Sequence, residues 1–136
     1  MSTLNVGTIK SIASNVPPVF QDSGGTGVGQ LCQASIRFNQ TGTQAINQSF
    51  NVSSITDEGT GDTSVNFTNV IRNSLGTATA SYSVTLGSNG SAVSTSHLGF
   101  FIHDTPTSSA VKVVFYNIDN SNLRADSNIC CVSIHA

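Results

Sequence analysis

The chain has few charged residues and few of the residues that favour helices. Only 9% of its 136 residues are charged, where about a quarter is usual. There is one Met, one Glu, two Lys and no Trp. Ser, Thr and Asn, which suit strands and turns, make up 49 residues. This composition argues against a helical fold and predicts an all-β protein.

Basic residues are also scarce, which argues against nucleic-acid binding. Five Lys and Arg residues against seven Asp and Glu give a net charge of −2. Binding to nucleic acid needs clustered Lys and Arg to displace counterions, and the five are scattered. No apolar run approaches the roughly 20 residues of a membrane helix, and residues 1–5 lack the features of a signal peptide. We therefore expect no nucleic acid as a partner, no membrane insertion, and folding where the chain is made.

The three cysteines are odd in number, and two of them are adjacent: Cys32, Cys130 and Cys131. Neighbouring residues of a strand point to opposite faces, so Cys130 and Cys131 are not expected to pair with each other. No Cys-x-x-Cys spacing supports a zinc site. We expect buried free thiols in a reducing compartment.

Two regions of the chain differ in composition. Residues 1–30 combine a short apolar segment, tandem prolines and a glycine-rich stretch, which predicts an extended N-terminal docking arm. The candidate docking residues of this arm are Leu4, Val6, Ile9, Pro17 and Pro18. Residues 31–136 alternate short β-runs with turn residues, a pattern typical of a sandwich or barrel domain.

The second region contains eight predicted strands: Leu31–Asn39, Gln44–Gln48, Phe50–Thr56, Thr63–Ile71, Ala78–Leu86, His97–His103, Val111–Ile118 and Ile129–His135. Strict alternation places Ala34, Ile36 and Phe38 on one face. The segment Val111–Ile118 is apolar on both faces, which favours a central or covered strand. Asp57–Asp62 predicts a hairpin turn. Together these features predict an antiparallel β-sandwich, jelly-roll-like, of about eight strands.

Three motifs resemble a module found at the C-terminal end of bacteriophage tail-fibre proteins, of the type common in marine and cyanobacterial phages. A Phe-Asn-x-Thr-Gly-Thr element lies at Phe38–Thr43, a long hairpin motif at Phe50–Asp62, and a Val-Asn-Phe-Thr element at Val65–Thr68. The resemblance covers residues 30–68, and the start Met1–Leu4 is also similar to starts of such proteins.

The resemblance implies a structural protein of the virion surface, assembled in the bacterial host's cytoplasm. It further implies a homotrimer that contacts other virion proteins and a host surface glycan. The chain lacks the long stem of a fibre, so we expect a short tail-fibre-like appendage that contacts the host receptor. The alternative is a capsid decoration or cement protein docked on the head through residues 1–30.

Catalytic motifs are absent from the sequence. No Gly-x-Ser-x-Gly turn appears, and no Lys follows the glycine-rich stretch as in a phosphate-binding loop. Asp57, Glu58 and Asp62 lie within one turn, where they solvate and shape it. We expect no enzyme and no cofactor. A polysaccharide-degrading enzyme is the weakest alternative, with His97 and Asp104 as its candidate residues.

Three further sets of residues are candidate binding groups. His97 and His103 are six residues apart, so a metal ring near a trimer axis is one interpretation. We favour the other, that they are surface or interface histidines bonded to backbone. Asp57 and Asp62 are weaker candidates for Ca²⁺. Phe101 and Tyr116 are candidate glycan contacts by stacking, with burial at a subunit interface as the alternative.

Overall fold

The computed structural model describes residues 19–21, 23–25, 27–73, 75–88, 98–117 and 123–136. Strands dominate this part of the chain, and no helix occurs in it. In chain order the strands are β1 (Val19–Gln21), β2 (Gly27–Gln30), β3 (Cys32–Asn39), β4 (Ala45–Phe50), β5 (Val52–Gly59), β6 (Asp62–Phe67), β7 (Ser83–Ser88), β8 (Leu98–His103), β9 (Ala110–Asn117), β10 (Leu123–Arg124) and β11 (Cys130–His135).

Two antiparallel sheets form the body of the protein. The four-stranded sheet has the order β4-β3-β11-β7. The five-stranded sheet has the order β10-β9-β6-β5, and β8 pairs with β9. The segments of β9 that pair with β6 and with β8 overlap, so β8 and β6 must occupy opposite edges of β9. The predicted all-β antiparallel sandwich is therefore confirmed, and β9 is central, as its two apolar faces predicted.

The core lies between the two sheets and follows the alternation of the strands. Ala34, Ile36 and Phe38 of β3 are all buried, as predicted. The rings of Phe38 and Phe115 meet edge to face across the core, with centroids 6.5 Å apart, a geometry that aromatic pairs prefer. The remaining core side chains are Val65, Phe67, Ile71, Val111, Val113, Cys130, Val132 and Ile134.

All eight predicted strands exist, and their ends lie within three residues of the predicted bounds in all but two of them. The strand predicted over Thr63–Ile71 ends at Phe67. The side-chain oxygen of Asn51 accepts a hydrogen bond from the backbone N–H of Asn69 at 2.8 Å, which draws the chain out of the sheet. The strand predicted over Ala78–Leu86 begins only at Ser83.

The predicted hairpin at Asp57–Asp62 is present as the β5–β6 connection. Gly61 in its turn has φ +69° and packs directly against backbone. A Cβ at Gly61 would lie 2.6 Å from the Phe115 carbonyl oxygen and 2.7 Å from the Ala125 nitrogen. The N–H of Gly61 also donates to the Asp126 carboxylate at 2.6 Å. The hairpin tip is thus locked between β9 and the segment that follows β10.

The end of the predicted arm is a small hairpin in the described part of the chain. β1 and β2 pair antiparallel, with Val19 opposite Gln30, and form a two-stranded sheet of their own. Leu4, Val6, Ile9, Pro17 and Pro18 lie outside the described residues. The division into residues 1–30 and 31–136 stays a prediction.

The cysteines differ in their surroundings, and all three are free. Cys130 is buried, and this burial raises the pKa of its thiol to about 12. Cys32 is half-buried. Cys131 is exposed, so the expectation of buried thiols is wrong for this residue. Its side chain falls on the outer face of the four-stranded sheet because its neighbour Cys130 faces the core.

Candidate binding surfaces

The strand directions place two sets of loops at opposite ends of the sandwich. One end carries the β1–β2 hairpin, the β4–β5 corner at Asn51, the 68–82 segment and the C-terminus. We call it the arm-bearing end. The other end carries the 40–44 loop, the β5–β6 hairpin tip and residues 125–129. We call it the distal end.

A braced loop displays a leucine at the arm-bearing end. The side-chain oxygen of Asn73 accepts hydrogen bonds from the N–H groups of Leu75 and Thr77, both at 3.0 Å. Arg72 donates to the Gly76 carbonyl at 2.6 Å. Leu75 is nevertheless 82% exposed, the largest value among the described large apolar side chains. The loop is therefore ordered around an apolar group that it does not bury.

The same loop is fastened to the start of the domain. The side-chain amide of Gln33 donates to the Arg72 carbonyl at 2.5 Å and accepts from the Arg72 N–H at 2.9 Å. This pair imitates one rung of a β-ladder. Gln33 lies two residues after Leu31, which is itself 43% exposed. Two exposed leucines, Leu31 and Leu75, therefore lie at this end of the sandwich.

A buried polar network joins the two sheets towards the distal end. The side chain of Gln40, only 1% exposed, donates to the Thr63 hydroxyl at 3.0 Å. Its oxygen accepts from the Ser127 N–H at 3.1 Å and from the Cys130 thiol at 3.3 Å. Thr63 in turn donates to Gln44 at 2.9 Å. Because these polar groups satisfy one another, the network is structural rather than a vacant binding site.

The outer face of the five-stranded sheet carries a network of charges centred on Asp62. The carboxylate of Asp62 is buried and lies 2.7 Å from Nη1 of Arg124 and 3.3 Å from Nζ of Lys112. Lys112 also reaches Asp104 at 3.5 Å, and Asp104 lies 3.3 Å from Nδ1 of His103. These charges come together because β6, β9 and β10 are neighbours in register.

The network holds its two cations firmly protonated. Partial burial lowers the pKa of Lys112, but the hydrogen bond and charge of Asp62, with the charges of Asp104 and Glu58, outweigh it and raise that pKa above its usual value. The hydrogen bond to Tyr116, followed by the charge of Asp62, raises the pKa of Arg124. Each positive charge therefore has a carboxylate nearby, and the face neutralises itself.

The outer face of the four-stranded sheet is different in character. An open groove of about 290 Å³ crosses it between β4, β3 and β11. Its lining residues are Ser35, Ile36, Arg37, Gln48, Cys131, Val132 and Ser133. Arg37 is exposed, and its side chain has no ion pair or hydrogen bond with any residue that the structure describes.

The residues that the sequence singled out as candidate ligands are dispersed. His97 lies outside the described residues, and His103 lies at the end of β8 beside Asp104. The carboxylate of Asp57 accepts from the Gly59 N–H at 2.9 Å, whereas Asp62 faces two cations, so the two acids do not form a calcium site. Within the described ranges no group of three His, Cys, Asp or Glu residues is placed to hold a metal.

The two candidate glycan contacts also differ from each other. The side chain of Phe101 lies outside the description, although its backbone pairs with Val114 in β8–β9. Tyr116 is half-buried on the outer face of the five-stranded sheet, and its hydroxyl bonds with Arg124. The hydroxyl of Tyr116 is therefore part of the charge network, and its role in glycan binding stays a prediction.

The sequence did not predict the groove around Arg37, although the alternation of residues in β3 did indicate that Arg37 faces outward. Arg37 falls between Ile36 and Phe38, so alternation alone assigns it to the outer face. Gln48 and Cys131 join it only through the β3–β4 and β3–β11 registers. Those registers depend on pairings between distant segments, which local patterns do not encode.

Comparisons with protein-family models, with curated proteins and with solved structures found no match to this chain. The likeness to a tail-fibre module consequently stays a resemblance carried by the motifs themselves. In the portion of the chain that is described, no helix has the length and apolarity needed to cross a bilayer.

Proposed function

We propose that this chain is a structural protein of a tailed-phage virion surface, docked on the particle through its arm-bearing end. The observation that carries the proposal is Leu75, which is 82% exposed on a loop held by several hydrogen bonds. An ordered loop that presents an apolar side chain is suited to insertion into a pocket of a partner. Leu31 lies two residues before Gln33, whose side chain bonds to Arg72 of the same loop, so one partner surface could contact both leucines.

The sheet edges support assembly rather than a solitary monomer. All six residues of the edge strand β4 are exposed, and none of them is charged. Monomeric proteins usually guard such edges with charges, prolines or bulges, and of these β4 has only the bulge at the register shift opposite Arg37 and Phe38. By contrast, β5, an edge strand of the five-stranded sheet, carries the charged residues Asp57 and Glu58 and is better guarded. Pairing of the free backbone edge of β4 with a neighbouring subunit fits the proposed homotrimer and leaves the outer face of the four-stranded sheet uncovered.

The docking partner distinguishes the two forms of the proposal. A short tail appendage, which could also contact the host receptor, is the first. A head decoration or cement protein is the second. Both use the same arm-bearing end, so they differ only in whether the chain is retained by isolated tails or by isolated heads.

The test uses particles stripped of this protein and then incubated with purified variants. The variants Leu75→Asp and a deletion of residues 1–30 should each fail to co-sediment with tails or heads. Leu123→Asp is the matched control, because Leu123 is 57% exposed at the distal end; it should bind as the unmodified protein does. Circular dichroism would establish that each variant is folded. Full binding by Leu75→Asp together with the deletion variant would overturn the proposal.

A further inference from the structure

The groove on the four-stranded sheet has an uncompensated positive charge. None of the four strands β3, β4, β7 and β11 contains an Asp or Glu, and Arg37 is their only Lys or Arg. The guanidinium of Arg37 is exposed and has no partner among the described residues. Five N–H donors in a planar fork suit a carboxylate, which they can bind with two parallel hydrogen bonds.

The groups around Arg37 are those that bind sugar hydroxyls. The amide of Gln48 stands beside it, because the two residues are partners in the β3–β4 ladder. Ser35, two residues before Arg37 on the same face of β3, supplies one hydroxyl. Its β11 partner Ser133 supplies another. An amide and a hydroxyl can each donate and accept, as a polyhydroxylated ligand requires.

An aromatic ring borders the groove on the same face. Phe50 is the ladder partner of Ser35, and cross-strand partners project to the same side of a sheet. It is 59% exposed at the end of β4. A pyranose ring has an apolar face of C–H groups that packs on such a ring. The combination of a fork for a carboxylate, polar groups for hydroxyls and a ring for stacking favours a sugar over a simple anion.

We propose that this groove binds the carboxylate-bearing pyranose of an acidic polysaccharide, with Arg37 on the carboxylate, Gln48, Ser35 and Ser133 on hydroxyls, and Phe50 against the sugar ring. The site goes beyond the docking role and does not depend on it, since the groove lies on the outer face of the four-stranded sheet and Leu75 lies on the 68–82 segment; Phe50 is the residue of the site nearest the arm-bearing end. A chain docked by its arm-bearing end would leave this sheet face open to the cell-surface or capsular polysaccharide of a bacterium.

The test is a titration of the ¹⁵N-labelled full chain followed by amide chemical shifts. Trigalacturonic acid and sialyllactose are the acidic probes, and the methyl ester of trigalacturonic acid and lactose are their neutral counterparts. At least one acidic probe should give saturable shifts at residues 35–37, 48–50 and 131–133, with its neutral counterpart at least about tenfold weaker. Inorganic phosphate alone should bind more weakly than that acidic sugar.

Variants connect the binding to the named groups. Arg37→Gln should weaken binding of the acidic probe by about tenfold or more. Arg37→Lys should retain only part of the original affinity, because an ammonium lacks the planar fork of donors. Phe50→Ser should weaken binding of both the acidic and the neutral sugar, because both present a sugar ring to Phe50. Thr60→Ala is the control, since Thr60 is exposed at the tip of the β5–β6 hairpin on the other sheet, and should leave binding unchanged.

Several outcomes would overturn the proposal. These are no saturable shift with either acidic probe, equal binding of acid and neutral counterpart, or binding of phosphate as tight as that of the sugar. Concentration-dependent shifts of the same residues without any sugar would instead show that the face pairs with a second copy of the chain. Failure of these tests would leave the docking proposal untouched, because Leu75→Asp and the deletion of residues 1–30 address a different surface.

Discussion

The outer faces of the two sheets differ in how their charges are compensated. The five-stranded sheet brings Asp62, Lys112 and Arg124 together, and its carboxylates and cations neutralise one another. The four-stranded sheet carries Arg37 alone, with no acid in any of its strands. The cations of the five-stranded face have carboxylate partners, whereas Arg37 has none among the described residues and is available for binding. The five-stranded sheet therefore presents a charge-compensated face, and the four-stranded sheet presents the face on which we propose recognition.

The largest effect on stability is expected at the β5–β6 hairpin, which supports the charged face. Gly61→Ala should lower the free energy of unfolding by about 3 kcal/mol or more, because the new methyl group meets the backbone of Phe115 and Ala125. Gly42 is the control, since it has the same φ of +69° but open space around it. Gly42→Ala should cost only about 1 kcal/mol. Equal losses in urea unfolding would show that the hairpin tip is not locked as described.

The next effect compares the two faces directly. Asp62→Asn removes the buried partner of Lys112 and Arg124, and should cost about 2 kcal/mol, less than for a fully buried pair because both cations reach solvent. Arg37→Gln on the other face should change stability by less than about 0.5 kcal/mol. Denaturant unfolding of the two variants measures both. A larger loss for Arg37→Gln would mean that Arg37 has a structural partner and is not a free binding group.

The dependence of stability on alkaline pH tests the burial of Cys130 and Tyr82 between the two sheets. Burial raises the pKa of Cys130 from 9.0 to about 12 and the pKa of Tyr82 from 10.0 to about 12. The unfolded chain therefore loses these protons at lower pH than the folded one, so stability is complete below about pH 9 and falls as pH rises to about 12. In Cys130→Ala the fall should begin nearer pH 10, where Tyr82 titrates. Identical pH profiles for variant and unmodified protein would contradict the burial of a protonated thiol.

Sequence patterns were sufficient for the sandwich and insufficient for its surfaces. The alternation of Ala34, Ile36 and Phe38 located β3 and its core face, and the double apolar face of β9 located the sheet centre. The β1–β2 hairpin was not predicted, because its glycines give no alternation. The Asp62 network and the Arg37 groove each need three strands in register, and register is set by long-range pairing.

The central claim is that the arm-bearing end docks on a virion and leaves the face of Arg37 open. The most direct measurement is a cryo-electron microscopy map of a phage particle that carries this chain, at a resolution that places the strands. The account predicts density from a neighbouring virion protein against Leu75 and Leu31, with the groove between β4, β3 and β11 facing solvent. A map in which Leu75 faces solvent and the groove is buried against the particle would contradict it.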